Sequence, residues 1–303
     1  MVAWLSEFYG KDVTVEKREL LRHRDLSLVE RITIVDSLPR TLIYKLVLPP
    51  WDIEHELHER ILIPSITNSA QLYMTAHIGD QTAMFMEDLG SESLLKAGGT
   101  LDLAERIGSD LAKIHRAYSY RIDELMSFHI LPTLFPIDYT DFVQYLIKDL
   151  SAWKLIDELT SNRLNDIGHI LADRLKGEPI SLVHGDLYAE NLIIRHSRLF
   201  IIDWSWFTFL GVPTMDLATL TMPHIKNAEF ANFADTVIDS YSHESGRSRQ
   251  DIEEALPACR VLARLLFLFW LKKRRQQGIY GTTVGHVDEL IPKIADEIVG
   301  MKM

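Results

Sequence analysis

The sequence predicts an α+β fold in two parts, strand-rich through residue 87 and mainly helical from 88 to 303. Three observations predict it. Apolar runs of strand length and β composition crowd the first part: Leu26–Val35, Thr41–Leu48, Gln71–Ala76 and Thr82–Met86. From Leu101 the apolar period becomes helical, with Leu103, Ile107, Leu111 and Ile114 on one face. A short hairpin then interrupts the helical part between Leu182 and Trp204.

Composition sets outer bounds. The 303 residues are 47% hydrophobic and 25% charged, enough for a sizeable core. The single cysteine, Cys259, excludes an internal disulfide framework and fits a buried thiol in a reducing compartment. The first ten residues, MVAWLSEFYG, hold no basic region followed by an apolar run, so no signal peptide and a cytoplasmic location are expected. The longest apolar run, Val261 to Leu271, contains Arg264 and is too short to span a bilayer. A net charge of −11 argues against nucleic acid as the main partner and permits a cationic small molecule. No zinc-ligand spacing and no internal repeat is present.

In chain order, residues 1–20 read as a helix and then a strand. The next two strands are joined by the turn Asp36-Ser37-Leu38-Pro39-Arg40. Pro49-Pro50 ends the second, and Asp52 to Ile63 has helical propensity, with Asp52 as an N-cap. A strand pair around Gly79-Asp80 follows and runs into Met86-Glu87-Asp88-Leu89-Gly90. Helices are expected at 101–118, from Phe142 to Leu159, from Asn162 to Leu175, from Ala228 to Ser242, from Ile252 to Gln277 and from Val287 to Val299. His115, at the end of the first of these, reads as a hydrogen-bonded core residue.

The chemistry concentrates between Leu182 and Trp204. After the apolar lead-in Leu182-Val183 comes His184-Gly185-Asp186, and Asn191 stands five residues after Asp186. The runs Leu192–Ile194 and Leu199–Ile202, separated by Arg195-His196-Ser197-Arg198, form a hairpin. Antiparallel pairing sets Asn191 and Asp203 at adjoining ends. Mg²⁺ takes hard oxygen ligands, often only one or two from protein, and phosphoryl transfer needs a further carboxylate to orient the attacking hydroxyl. Asp, four residues, Asn, a hairpin and a final Asp is the spacing that chemistry uses.

His184-Gly185-Asp186 with Asn191, followed by Ile202-Asp203-Trp204, resembles the aminoglycoside phosphotransferase and choline kinase family. Gly185 and Trp204 stand where protein kinases usually carry Arg and Phe, which points to the small-molecule branch. The resemblance implies a bilobal protein-kinase-like fold, with a nucleotide-binding lobe over 1–87, a catalytic and substrate-binding lobe over 88–303, and the nucleotide in the cleft. It implies ATP, with GTP the other candidate, and Mg²⁺ held by Asn191 and Asp203. Asp186 would act as base, with His184 orienting its loop. Lys45, on the strand Thr41–Leu48, would reach the phosphates. Its partner would be a glutamate of the following helix: Glu54, Glu56 and Glu59 all qualify, with Glu56 favoured. Met86 would back the adenine, and main-chain groups of Glu87 and Leu89 would bind it. Asp216, in Pro213-Thr214-Met215-Asp216-Leu217-Ala218, would accept hydrogen bonds from the catalytic-loop backbone.

One departure stands out. No glycine occurs between Gly10 and Gly79, so the turn near Arg22–Ser27 lacks the Gly-rich phosphate loop of kinases. Ser27 or the neighbouring arginines are the candidates to contact phosphate instead. The expected function is phosphoryl transfer from ATP to a hydroxyl of an amino sugar, amino alcohol, sugar or homoserine-like compound. The alternative is a nucleotide-binding regulatory protein of the same fold with little or no turnover. The sequence selects neither an acceptor nor an oligomeric state.

Overall fold

The computed structural model describes residues 1–303 except 25, 36, 50, 197, 223–229, 231 and 283–284. Asp25, Asp36, Pro50, Ser197 and Ala228, assigned above to turns, a strand end and a helix start, lie outside the described residues. The chain divides into two compact units, Met1–Gly98 with Ala189–Trp206, and Gly99–Tyr188 with Phe207–Met303.

The first unit is built on an antiparallel sheet. Helix α1 (Val2–Tyr9) precedes β1 (Val15–Arg24), β2 (Ser27–Ile34), β3 (Thr41–Val47), β4 (Leu72–Ile78) and β5 (Gln81–Glu87), in the order β1-β2-β3-β5-β4. The apolar sequence of β5, Ala83 to Met86, is buried throughout, as an interior strand requires, whereas β4 takes the edge and ends exposed. Alternation splits β3 between two cores. Leu42 and Tyr44 join Ile32, Ile34, Phe85 and Leu5 of α1 on one face. Ile43 and Val47 join Met84, Met86 and Leu89 on the other, and the alternation puts Lys45 there too. After β3, α2 (Ile53–Glu56) runs into a π-helical turn, Leu57–Ile61, and α3 (Pro64–Thr67) leads to β4. Helix α4 (Leu94–Ala97) follows β5. The predicted hairpin forms as Leu192–Arg195 against Arg198–Ile201 and belongs to this unit.

The second unit is mainly helical. Thr100 caps α5 (Leu101–Ser119) by accepting the Leu103 amide at 3.4 Å. Helix α6 (Ile122–Ser127) and an extended stretch lead to α7 (Tyr139–Ala152) and α8 (Glu158–Arg174). The helix expected from Phe142 to Leu159 therefore divides: Lys154 turns left-handed at φ 58°, and Asp157 caps a new helix by accepting the Thr160 amide at 2.7 Å. Past the short pair Ser181–Val183 and Phe209–Gly211 lie α9 (Thr214–Leu220), α10 (Phe233–Ser245), α11 (Arg249–Gln276) and α12 (Val287–Gly300). The run Val261 to Leu271 sits inside α11, and Cys259 beside it is a buried free thiol. Among the described residues, no helix is long and apolar enough to cross a membrane.

Candidate functional site

The first unit gathers its charges on the second face of the sheet. Lys45 pairs in register with Val29 and Met84 in the interior of the sheet, so its ammonium is buried. Its Nζ lies 2.5 Å from Glu54 Oε2 and also donates to Asp203 Oδ1. The partner of Lys45 is thus Glu54, which corrects the choice of Glu56. Glu54 shares its helix face with buried Leu57 and Ile61, three and seven residues on, and that face packs inward. Glu56 points away and pairs with Arg60 at 3.8 Å, and Glu59 is exposed. Asp52 precedes α2 but makes no side-chain cap, its carbonyl being taken by His55 Nδ1.

Asp203 follows the hairpin in a left-handed conformation, φ 66°, which Asp tolerates better than most residues. Its carboxylate also meets Arg22 of β1, with Nη1 3.0 Å from Oδ2 and Nη2 3.3 Å from Oδ1. Burial works against the charged form of Asp203, but Lys45 and Arg22 hold its pKa well below the ordinary carboxylate range. Burial likewise pulls Lys45 down, and Asp203 and Glu54 more than offset it. For Glu54 burial outweighs Lys45 and pushes the carboxyl up to about 7. His58, one turn beyond Glu54, is driven down to about 3 by burial and then by Lys45; its Nε2 has no hydrogen-bond partner among the described residues.

These groups line one cavity of about 380 Å³ within this unit. Met86, Glu87 and Leu89 line it, alongside apolar Val29, Ile43, Ala70 and Ile193. The strip from Glu87 to Gly90 is pinned on both flanks. Asp88 forms a bidentate pair with Arg31 at 2.8 and 3.1 Å and accepts the Gly90 amide, while Glu87 pairs with Arg195 at 2.7 Å. Burial raises the Asp88 carboxyl, and the Arg31 and Gly90 hydrogen bonds bring it below its usual value. Ser27 opens β2 opposite Arg24 and does not line the cavity, whereas Arg22 does.

Asn191 closes a 3-10 turn at the mouth of the hairpin, and its carbonyl accepts the Ile202 amide at 2.9 Å. That bond sets Asn191 beside the residue before Asp203, as the antiparallel reading required. Among the described residues, no group of three or more His, Cys, Asp or Glu could hold a metal. An ionised Asp203 and the amide oxygen of Asn191 still fit Mg²⁺, a hard ion that commonly takes few protein oxygens beside phosphate and water.

The second unit holds the His184-Gly185-Asp186 loop, which leaves the strand Ser181–Val183. Buried Asp216 of α9 fixes it, accepting the amides of His184 and Gly185, each at 2.9 Å. Behind Asp216, His115 Nε2 donates to Oδ2 at 3.2 Å, and the Tyr241 hydroxyl donates to His115 Nδ1 at 3.0 Å. This is the hydrogen-bonded core role expected of His115. Gly185 sits at φ 77°, and a Cβ there would overlap the Phe207 carbonyl oxygen, so the position demands glycine. The buried His184 ring accepts the Asp186 amide on Nδ1 at 3.3 Å, orienting the backbone of a half-buried Asp186.

Comparison with known proteins agrees with this geometry. The model of the phosphotransferase enzyme family, APH, matches residues 66–257. Protein LicA of Haemophilus influenzae is 27% identical over 99 residues, 31% of this chain and 36% of that protein; LicA from a second H. influenzae source matches equally, over 28% of its length. The chain therefore spans about a third of the length of these curated relatives. Among solved structures, a thermostable mutant of aminoglycoside phosphotransferase APH(4)-Ia, in ternary complex with ADP and hygromycin B, superposes with a TM-score of 0.65 at 14% identity. It covers 100% of this chain and 99% of that one. An ethanolamine kinase of Plasmodium vivax gives 0.64 at 12% identity, covering 93% and 81%. The fold is protein-kinase-like.

Proposed function

The chain belongs to the phosphotransferase enzyme family; we propose that it is a small-molecule kinase that moves the γ-phosphate of ATP to a hydroxyl of an amino sugar or amino alcohol, with Asp186 as the base. The observation that carries the nucleotide half of this reading is the buried Lys45–Asp203–Glu54 cluster opening on an apolar-walled cavity. Such a cavity suits a purine, and its charged end suits phosphates.

Met86 forms the adenine wall, and main-chain groups at Glu87 and Leu89 bind the ring, supported by the rigid Asp88–Arg31 pair. Lys45, steadied by Glu54, neutralises charge that develops on the phosphates. Asn191 and Asp203 would hold Mg²⁺, which when bound would supply further neutralisation of that charge. Asp186 orients the acceptor hydroxyl and takes its proton as the new bond forms, its loop held still by Asp216 and His184. The net charge of −11 and the amine-bearing compounds named for the structural relatives both favour a cationic acceptor. Sugars and homoserine-like alcohols remain the other acceptor classes. A cytoplasmic setting, where ATP is available and Cys259 stays reduced, completes the reading.

The test is ADP release from ATP and Mg²⁺ across a panel of aminoglycosides, amino alcohols, sugars and homoserine, with products weighed by mass spectrometry. One amine-bearing alcohol should gain a phosphoryl group. ATP binding without transfer to any hydroxyl compound would overturn the assignment in favour of a nucleotide-binding regulator.

A further inference from the structure

Every kinase of this plan needs donors for the β- and γ-phosphates, and the β1–β2 turn here has no glycine to supply them from its backbone. Arg22 stands at that place with the right chemistry. On an unbroken strand Glu19 and Arg22, three apart, would face opposite sides of the sheet. Here Leu20 pairs with Glu30 and Arg22 with Val29, so Leu21 is an extra residue in β1. This bulge turns Arg22 onto the face of Val29 and Lys45, the face of the cavity. Its guanidinium then grips Asp203 through both terminal nitrogens.

That grip falls on the carboxylate that the proposed function assigns to Mg²⁺. The charges explain how both can hold. Without nucleotide, Lys45 and Arg22 both pair with Asp203. A triphosphate with Mg²⁺ adds anionic oxygens and a divalent cation, and a shift of Arg22 from Asp203 to phosphate keeps each charge paired. Arg22 is the more accessible of the two cations. Its side chain is 31% exposed, against 8% for Lys45. A planar fork that fits a carboxylate fits a phosphate equally well.

We propose that Arg22 replaces the missing glycine loop as a phosphate-binding residue with two positions: on Asp203 in the nucleotide-free protein, and on the terminal phosphates of bound nucleotide, releasing Asp203 to Mg²⁺. The inference rests on the nucleotide-binding reading above.

Its test is binding, measured by calorimetry on the full chain with ATP, with adenosine, and with Mn²⁺ alone as a probe of the Asp203 carboxylate. Arg22→Met keeps the apolar stem. It is expected to weaken ATP roughly tenfold to a hundredfold, the range of lost charge-assisted bonds, to leave adenosine unchanged, and to bind Mn²⁺ more tightly because the competitor is gone. Arg22→Lys keeps a cation beside Asp203 should the first variant fold poorly. It is expected to lose ATP affinity about tenfold with an unchanged melting temperature. Equal weakening of ATP and adenosine, or ATP affinity unchanged in either variant, overturns the proposal. Absence of ATP binding by the unmodified protein would instead sink the nucleotide reading itself.

Discussion

Glu54 Oε2 lies 2.5 Å from Nζ of Lys45, and both side chains are buried. Glu56, two residues along, is on the solvent side with Arg60. Glu54→Gln should therefore lower kcat by about 10²-fold, the scale of a misplaced catalytic group. Glu56→Gln should stay within about twofold, as exposed ion pairs contribute little. Steady-state ADP release by the two variants side by side separates them, and a larger loss in Glu56→Gln would return the pairing to that residue.

The half-buried imidazole of His58 gives a pH dependence of known sign. Burial, and then the Lys45 ammonium, push its pKa from the ordinary 6.5 down to about 3 in the folded chain. Between those values the unfolded chain binds a proton that the folded chain does not. Stability from this group is complete above pH 6.5 and declines as pH falls toward 3. Glu54, raised to about 7, acts oppositely between pH 4.5 and 7, so the comparison must be with a variant. Urea denaturation of His58→Phe should show a shallower acid decline, by at most one proton, about 1.4 kcal/mol per pH unit. Parallel pH curves for the two proteins would show that His58 does not titrate this way.

Asp216 holds the Asp186 loop through two backbone amides and His115. Asp216→Ala orphans these buried donors and should destabilise the fold by about 2–5 kcal/mol, read from urea midpoints. An unchanged midpoint would mean that water replaces the carboxylate without loss.

Gly185→Ala tests the same loop from its backbone. The positive φ and the approach of the Phe207 carbonyl leave no room for a methyl group. A folded variant with kcat reduced at least about tenfold is expected, because the shift falls on the residue before Asp186. Wild-type kcat would show that the loop tolerates the shift.

Much of this was legible in the residues. The His184 to Trp204 stretch carries its own spacing, and its hairpin formed with Asn191 and Ile202 paired across the mouth. Lys45 was legible as the lysine on the strand Thr41–Leu48 that the family resemblance calls for, and Asp216 from its motif. Glu54 was not singled out, because helical spacing was weighed between Glu56 and Glu59 and not against the apolar face; the spacing of Glu54 to buried Leu57 and Ile61 was the available signal. Arg22 depended on a β-bulge and on pairing 181 residues away in sequence with Asp203. Neither leaves a local pattern. The grouping of Ala189–Trp206 with the N-terminal unit is likewise set by long-range packing. The break at Trp153–Asp157 was hidden by continuous helical propensity, although Asp157 ahead of Glu158 is an ordinary cap signal.

The most direct measurement follows labelled γ-phosphate from ATP into the acceptor, with Asp203→Ala and Asp186→Asn each compared with the unmodified protein. The account predicts no transfer above background for Asp203→Ala and a loss of roughly 10²–10⁴-fold for Asp186→Asn, with both variants folded. Near-normal transfer by Asp203→Ala would contradict it.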